Sequence, residues 1–198
     1  MSMNPARRLT PTEWAEAALA RLVADGPDAV SVEGVARDLG VTKGSFYWHY
    51  PDRAALLAGS LDLWERATED LITQLSEVSS PYRRFEALMR SVLGDRRLGP
   101  LDAALLARAD DPVIGPVVRR VTERRLAYLA RLFVDLGGRP ADAAQRARIV
   151  LSLYAGHFAV ARSVPNDSML SEPSRRYVSA VVDLLTAGLP PRAQPDRS

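Results

Sequence analysis

Residues 30–57 read VSVEGVARDLGVTKGSFYWHYPDRAALL, and this stretch decides how the rest of the chain is read. Two short helical patterns flank Leu39-Gly40-Val41. Ala36 is small at the point where the two helices cross closely. Gly40, four residues on, supplies the positive φ of a tight turn. Val35, Leu39, Val41 and Phe46 supply a small core. The spacing is that of a helix-turn-helix, with its second helix over about residues 42–49.

On a wheel at 100° per residue, Phe46 and Tyr50 of this second helix fall together and face inward. Lys43, Gly44, Ser45, Tyr47 and Trp48 make the outer face. A face built only to sit in water would not carry a glycine and two aromatics, whereas one that docks in a major groove has a use for each. Gly44 lets the backbone come close, Lys43 reaches a guanine edge or a phosphate, Ser45 donates or accepts at bases, and the aromatics touch thymine methyls and phosphates. Lys43 also sits at the helix N-terminus, where base contacts are commonly made. An unpaired cation there opposes the helix dipole at a cost of about 0.3–1 kcal/mol, which favours an external anionic partner.

Gly40-Val41, then Ser45-Phe46-Tyr47-Trp48-His49-Tyr50, then Arg53 and Leu56 form a pattern that resembles the DNA-binding domain of the TetR family of bacterial transcriptional repressors. The resemblance covers residues 9–57, with Tyr50 in place of the commoner Phe. It implies that Lys43, Ser45, Tyr47, Trp48 and His49 contact bases or phosphates. It also implies that Arg53 grips a phosphate at the start of the following helix. Arg7 and Arg8 fit an arm reaching the DNA backbone. Glu33 would repel phosphates if it faced DNA, and is read as a dipole partner in the first turn of its helix.

Around this stretch the whole chain reads as helix, with Pro and Gly falling between the helical runs. Thr10 is an N-cap, with Pro11 at N1, Glu13 completing a capping box, and Leu9 and Trp14 placed for a hydrophobic staple. A second helix starts at Ser31. A long fourth helix starts near Asp52, with Leu57, Leu61, Trp64, Leu71 and Leu75 along one face. Further helices are expected at about 82–94, 100–108, 112–136, 140–163 and 172–187, the third of these opening on an Asp111 cap followed by Pro112. The reading is an all-α protein of about nine helices. A helix-turn-helix domain over 9–57 is followed by a helical ligand-binding and dimerisation domain over 58–188, between flexible tails at 1–8 and 189–198. The fourth helix runs through the boundary and should couple the two parts mechanically.

Of the 198 residues, 47% are apolar and 25% charged, which is ordinary globular composition. Such a chain buries roughly 70% of its unfolded surface. No apolar run approaches the ~20 residues of a bilayer helix, and Met1 to Thr10 holds no apolar signal core. The expectation is a cytoplasmic protein without membrane contact. There are no cysteines, so disulfides, thiolate metal sites and Cys nucleophiles are excluded. Two histidines, no Gly-rich phosphate loop and no metal-ligand spacing argue against an enzyme, and no catalytic residue, metal or cofactor is expected. Net charge is +2, but residues 1–57 hold six Lys or Arg against seven Asp or Glu, a net of −1. A nucleic-acid reading therefore rests on local placement and not on bulk charge.

The resemblance further implies a homodimer formed through the helices at about 140–163 and 172–187, binding double-stranded operator DNA and released by a small-molecule effector. Tyr154 to Ala159 offers small residues for close helix approach. Tyr177, Val178, Val181, Val182, Leu184 and Leu185 offer more apolar surface than one intramolecular face needs. Trp64, Phe85, Met89, Tyr128 and Tyr154 are apolar candidates for the effector pocket. Arg108 and His157 are polar candidates to orient a ligand.

Overall fold

The computed structural model describes residues 9–95, 98–164, 166–167 and 175–190. Expectations for residues 1–8, 172–174 and 191–198, including an arm at Arg7 and Arg8, lie outside them. The described residues form nine α-helices and one 3-10 turn, with no strand. They are α1 (Pro11–Asp25), the 3-10 turn (Pro27–Ala29), α2 (Val32–Asp38), α3 (Lys43–Phe46), α4 (Arg53–Ser76), α5 (Pro81–Gly94), α6 (Leu98–Leu106), α7 (Gly115–Asp135), α8 (Pro140–Ser163) and α9 (Arg175–Thr186). The chain divides into two compact units, Met1–Ala67 and Thr68–Ser198, with the boundary inside α4.

In the first unit the caps fall where local chemistry requires them. The Thr10 hydroxyl accepts from the Glu13 N–H, and the Glu13 carboxylate accepts from the Thr10 N–H at 2.8 Å. Ser31 caps α2 through the Gly34 N–H at 3.0 Å. Gly40 holds φ +66° between α2 and α3. Trp14, Leu22, Val35, Phe46 and Leu56 are fully buried. The Arg21 guanidinium reaches Asp38, its Nη2 donating to Oδ1 at 2.8 Å, and ties α1 to the end of α2.

Two boundaries depart furthest from the sequence pattern, and the helix expected at about 100–108 is Leu98–Leu106. The helix expected over 42–49 is α-helical only from Lys43 to Phe46, and Tyr47 to His49 form a turn. The His49 N–H bonds to the Phe46 carbonyl, three residues back, which tightens the last turn. Pro51 then disfavours helical backbone at Tyr50. The helix expected over 112–136 starts at Gly115. Asp111 does cap, but it accepts from the Val113 and Ile114 N–H groups at 2.8 and 3.0 Å and closes a separate turn. A Cβ on Gly115 would lie 2.4 Å from the Ala109 carbonyl oxygen, so glycine lets that turn pack against the new helix.

The second unit is built on α7 and α8, which pack along their length after a short connection through Gly137, at φ +89°. Phe85 and Phe133 meet with ring centres 5.1 Å apart, beside Met89, Leu132, Val182 and Leu185. α6 seats on α8 because Gly99 has no side chain, as a Cβ there would lie 2.0 Å from the Phe158 ring. Beside this contact is a buried polar cluster. Asp102, 3% exposed, accepts from Arg125 Nη1 at 2.6 Å and from the Tyr154 hydroxyl at 2.7 Å. Arg125 Nη2 also donates to the Thr68 hydroxyl at 2.8 Å. One carboxylate thereby joins α4, α6, α7 and α8. Burial, and then the neighbouring Asp102 charge, push the Tyr154 hydroxyl far above its usual pKa, so it stays a donor.

Asp102→Ala leaves the Arg125 charge uncompensated and is expected to cost about 3–5 kcal/mol. Gly99→Ala overpacks the Phe158 contact and is expected to cost about 1–3 kcal/mol. Urea unfolding of both variants measures these losses. A change below half a kcal/mol in either would contradict the packing described.

Candidate nucleic-acid interface

A helix of one turn has too few hydrogen bonds to persist alone, so the orientation of α3 is set by packing. Phe46 provides it. Its ring is fully buried, edge-on to Trp14 of α1 at 5.4 Å and stacked with Tyr50 at 6.0 Å. Tyr50 is itself fixed, with its hydroxyl donating to the Pro11 carbonyl at 3.0 Å. Its ring lies against Gly59 of α4, where a Cβ would fall within 2.9 Å. Burial raises the Tyr50 hydroxyl pKa, so it remains protonated in this bond.

With Phe46 and Tyr50 turned inward, the opposite face projects outward. Lys43 and Gly44 are exposed, Tyr47 is 58% exposed and Trp48 is 87% exposed. Ser45 is partly buried, and its hydroxyl donates to the Thr42 carbonyl at 3.1 Å. His49 is also partly buried, its ring tilted against Trp14 at 6.5 Å. A Cβ on Gly44 would meet only the Thr42 hydroxyl, at 3.8 Å, so the fold of this unit does not require glycine there.

The charged groups are arranged less simply. The Lys43 ammonium donates to the Glu33 carboxylate, contributed by the first turn of α2. This hydrogen bond raises the lysine pKa and lowers that of the glutamate, so both stay charged. Arg53 Nε donates to the Val30 carbonyl at 2.6 Å, and Nη2 donates to the Pro27 carbonyl. Arg53 therefore anchors the start of α4 to the segment before α2, beyond any role toward phosphate. Neither partnership follows helix periodicity, since the pairs are separated by ten and by more than twenty residues. Sequence spacing gives no signal for them.

The effector candidates divide. Phe85, Met89, Tyr128 and Tyr154 meet in one buried core. Trp64 is buried in the first unit, and Arg108 is partly buried past the end of α6. His157 is buried on α8, with Nδ1 3.2 Å from the Tyr177 hydroxyl and its ring edge-on to Phe158. An open groove of about 400 Å³ lies along α7, with Tyr128, Ile72, Arg84, Arg131 and Val134 in its lining. Burial raises the Tyr128 hydroxyl pKa. Among the described residues no group of three or more His, Asp or Glu is placed to hold a metal ion, and no helix is long and apolar enough to cross a membrane.

Residues 15–59, which hold this helix-turn-helix, match the family model described as bacterial regulatory proteins, tetR family. The chain carries the N-terminal domain of the TetR family.

Solved structures of transcriptional regulators extend the likeness of fold to the second unit. A transcriptional regulator from Rhodococcus sp. Rha1 superposes with a TM-score of 0.69 at 21% identity, covering 89% of this chain and 94% of that one. A transcriptional regulator from Saccharomonospora viridis, in complex with choline, gives a TM-score of 0.71 at 16% identity over 92% and 98% of the two chains. FadR from Bacillus subtilis, in complex with stearoyl-CoA, gives 0.68 at 14% identity over 90% and 98%. No curated protein matches the chain. Over the rest of the chain the likeness is one of fold, and α3 stands in the position of the second helix of the helix-turn-helix.

The open space at Gly44 makes a separable prediction. Gly44→Ala should leave stability unchanged or raise it by up to about 1 kcal/mol, because alanine is the better helix former. It should at the same time weaken DNA binding by crowding the backbone. Thermal unfolding and fluorescence anisotropy on the same preparation test the two halves. Full affinity in the variant would show that the duplex does not approach Gly44.

Proposed function

We propose that this protein is a homodimeric repressor that binds a palindromic operator through α3 and is released by a small-molecule effector. The observation that carries the reading is the outward face of α3. Lys43, Gly44, Tyr47 and Trp48 are exposed together, and although the Tyr47 ring meets Phe46 edge-on, the packing of their own unit explains neither Trp48 nor the glycine. Lys43, Ser45, Tyr47, Trp48 and His49 are assigned contacts to bases and phosphates. Arg53 is assigned a phosphate contact beside its carbonyl bonds.

Dimerisation is assigned to α8 and α9. Most of the apolar stripe on α9 is consumed by the core of the chain itself, since Val178, Val181, Val182 and Leu185 are buried. What remains is the opposite surface. On α8, Ile149, Ser152, Gly156, Ala159, Val160 and Ser163 form an exposed, uncharged row at helical spacing, and Leu184 of α9 is 71% exposed. Gly156 has open space around it, which suits close approach of a second helix. Two such pairs of helices form a four-helix interface with two-fold symmetry, matching a palindromic site.

The effector is assigned to the second unit, from Phe85, Met89, Arg108, Tyr128, Tyr154 and His157, which leaves out Trp64 because it is buried in the first unit. The groove beside Tyr128, with Arg84 and Arg131 in its lining, suits an apolar molecule bearing a hydrogen-bonding or anionic group. The choline and stearoyl-CoA held by the two proteins of similar fold support a ligand-responsive second unit. Release is assigned to a shift of α4, whose later turns are bonded to α7 through Thr68–Arg125 and Glu69–Arg124.

Selection of preferred duplexes from a random pool, at stated salt, tests the reading. The expected result is an enriched inverted repeat, and absence of any enriched sequence would count against it. Lys43→Ala and Tyr47→Ala should each lose about 1–3 kcal/mol per half-site on that sequence, with sedimentation showing an intact dimer. Arg53→Ala should weaken binding to all sequences alike, and a changed base preference would overturn its assignment to phosphate.

A further inference from the structure

Lys43 is the only lysine in the chain, and it stands at the first position of α3. Its ammonium is held by the Glu33 carboxylate, although the two side chains are 50% and 57% exposed. An ion pair this exposed contributes little to stability. The carboxylate also has a reason of its own to stand in the first turn of α2, where the helix dipole favours an anion. Of the cations nearby, Arg21 is bonded to Asp38, Arg53 donates to two backbone carbonyls and keeps its charge, and Arg37 stands exposed one turn beyond Glu33 on α2. At the start of α3, beside Tyr47 and Trp48, the lysine charge is therefore balanced by a carboxylate of the same unit.

We infer that Glu33 is a specificity-determining residue of the DNA-reading surface, acting by restraining Lys43. Arbitrary duplex offers Lys43 little more than phosphate. Trading a carboxylate for a phosphate gains little for the lysine and leaves Glu33 unpaired in the negative field of the backbone. A matched site offers more. Lys43 can donate to a guanine edge while Glu33 accepts from the amino group of a neighbouring cytosine, so the pair opens without leaving either charge unsatisfied. The contact is thereby made conditional on sequence, and general attraction to DNA is kept low. This inference rests on the placement of α3 in the major groove proposed above.

The test compares wild type, Glu33→Gln, Lys43→Ala and the double variant, each on the enriched duplex and on a scrambled duplex of equal length, over a range of salt. Glutamine keeps a hydrogen-bonding group of the same size, and a thermal melt of each variant checks the fold. Glu33→Gln should bind scrambled DNA several-fold more tightly and lower the ratio of specific to non-specific affinity. Its salt slope on scrambled DNA should steepen by about two for a dimer, because each freed lysine adds one phosphate contact worth about 0.9 in slope. In the Lys43→Ala background the same substitution should have less than half that effect. An unchanged specificity ratio or salt slope would overturn the inference, as would an equal effect in both backgrounds, which would make Glu33 a simple repulsive charge. A wild-type protein with no enriched sequence would instead refute the placement of α3, so the two failures are distinguishable.

Discussion

The burial of Phe46 against Trp14 holds the first unit in its working form. α3 spans four residues, and a single turn supplies too little hydrogen bonding to offset the entropy of ordering it. Its direction comes from one aromatic ring set edge-on to a fully buried indole and stacked on Tyr50. Tyr50 is in turn held by the Pro11 carbonyl and the bare backbone of Gly59. Rotating this ring would turn Lys43, Tyr47 and Trp48 with it. The geometry of the exposed face is therefore a property of the core beneath it.

The second unit is organised around a different constraint, the satisfaction of a buried charge. Asp102 is almost fully buried and takes the Arg125 fork and the Tyr154 hydroxyl, while Arg125 extends to Thr68. A buried pair of this kind is weak evidence for net stability, because desolvation offsets most of the attraction. Its effect is directional, since each donor must sit at hydrogen-bonding distance and four helices are thereby kept in register. Close packing through Gly99 and Phe158 removes slack beside the same cluster. The two units thus use charge in opposite ways, one burying a pair inside the helical bundle and the other placing an exposed pair beside Tyr47 and Trp48.

Much of this was legible in the residues themselves. The capping box at Thr10, the Ser31 cap, the positive φ of Gly40 and the buried stripe along α4 are local, and local chemistry suffices to read them. The inward and outward faces of α3 also follow from periodicity, because one buried ring orients the whole turn. α3 ends at Phe46, earlier than the spacing predicts. Its outcome depends on competition between a tightened turn at His49 and the restriction that Pro51 places on Tyr50. α7 starts at Gly115, later than the Asp111-Pro112 pattern predicts, because the Asp111 cap serves a turn whose packing against Gly115 has no sequence signature. The surplus of apolar surface expected on α9 is smaller than its composition implies, since most of those side chains fill their own core.

The sequence by itself determined that the chain is helical, that residues 30–57 hold a helix-turn-helix, and that this motif turns Phe46 inward and leaves Lys43, Gly44, Tyr47 and Trp48 outside, while Ser45, also expected outside, is partly buried. Each of these depends on neighbours within about one turn, where spacing and propensity decide the result. Only the tertiary structure decided which charges meet. Glu33 with Lys43, Arg53 with two carbonyls, and Asp102 with Arg125 and Tyr154 are pairs distant in sequence, each formed from several available partners. Long flexible side chains reach many partners, and the one each takes is fixed by where the backbone of another helix has already been placed by its apolar contacts.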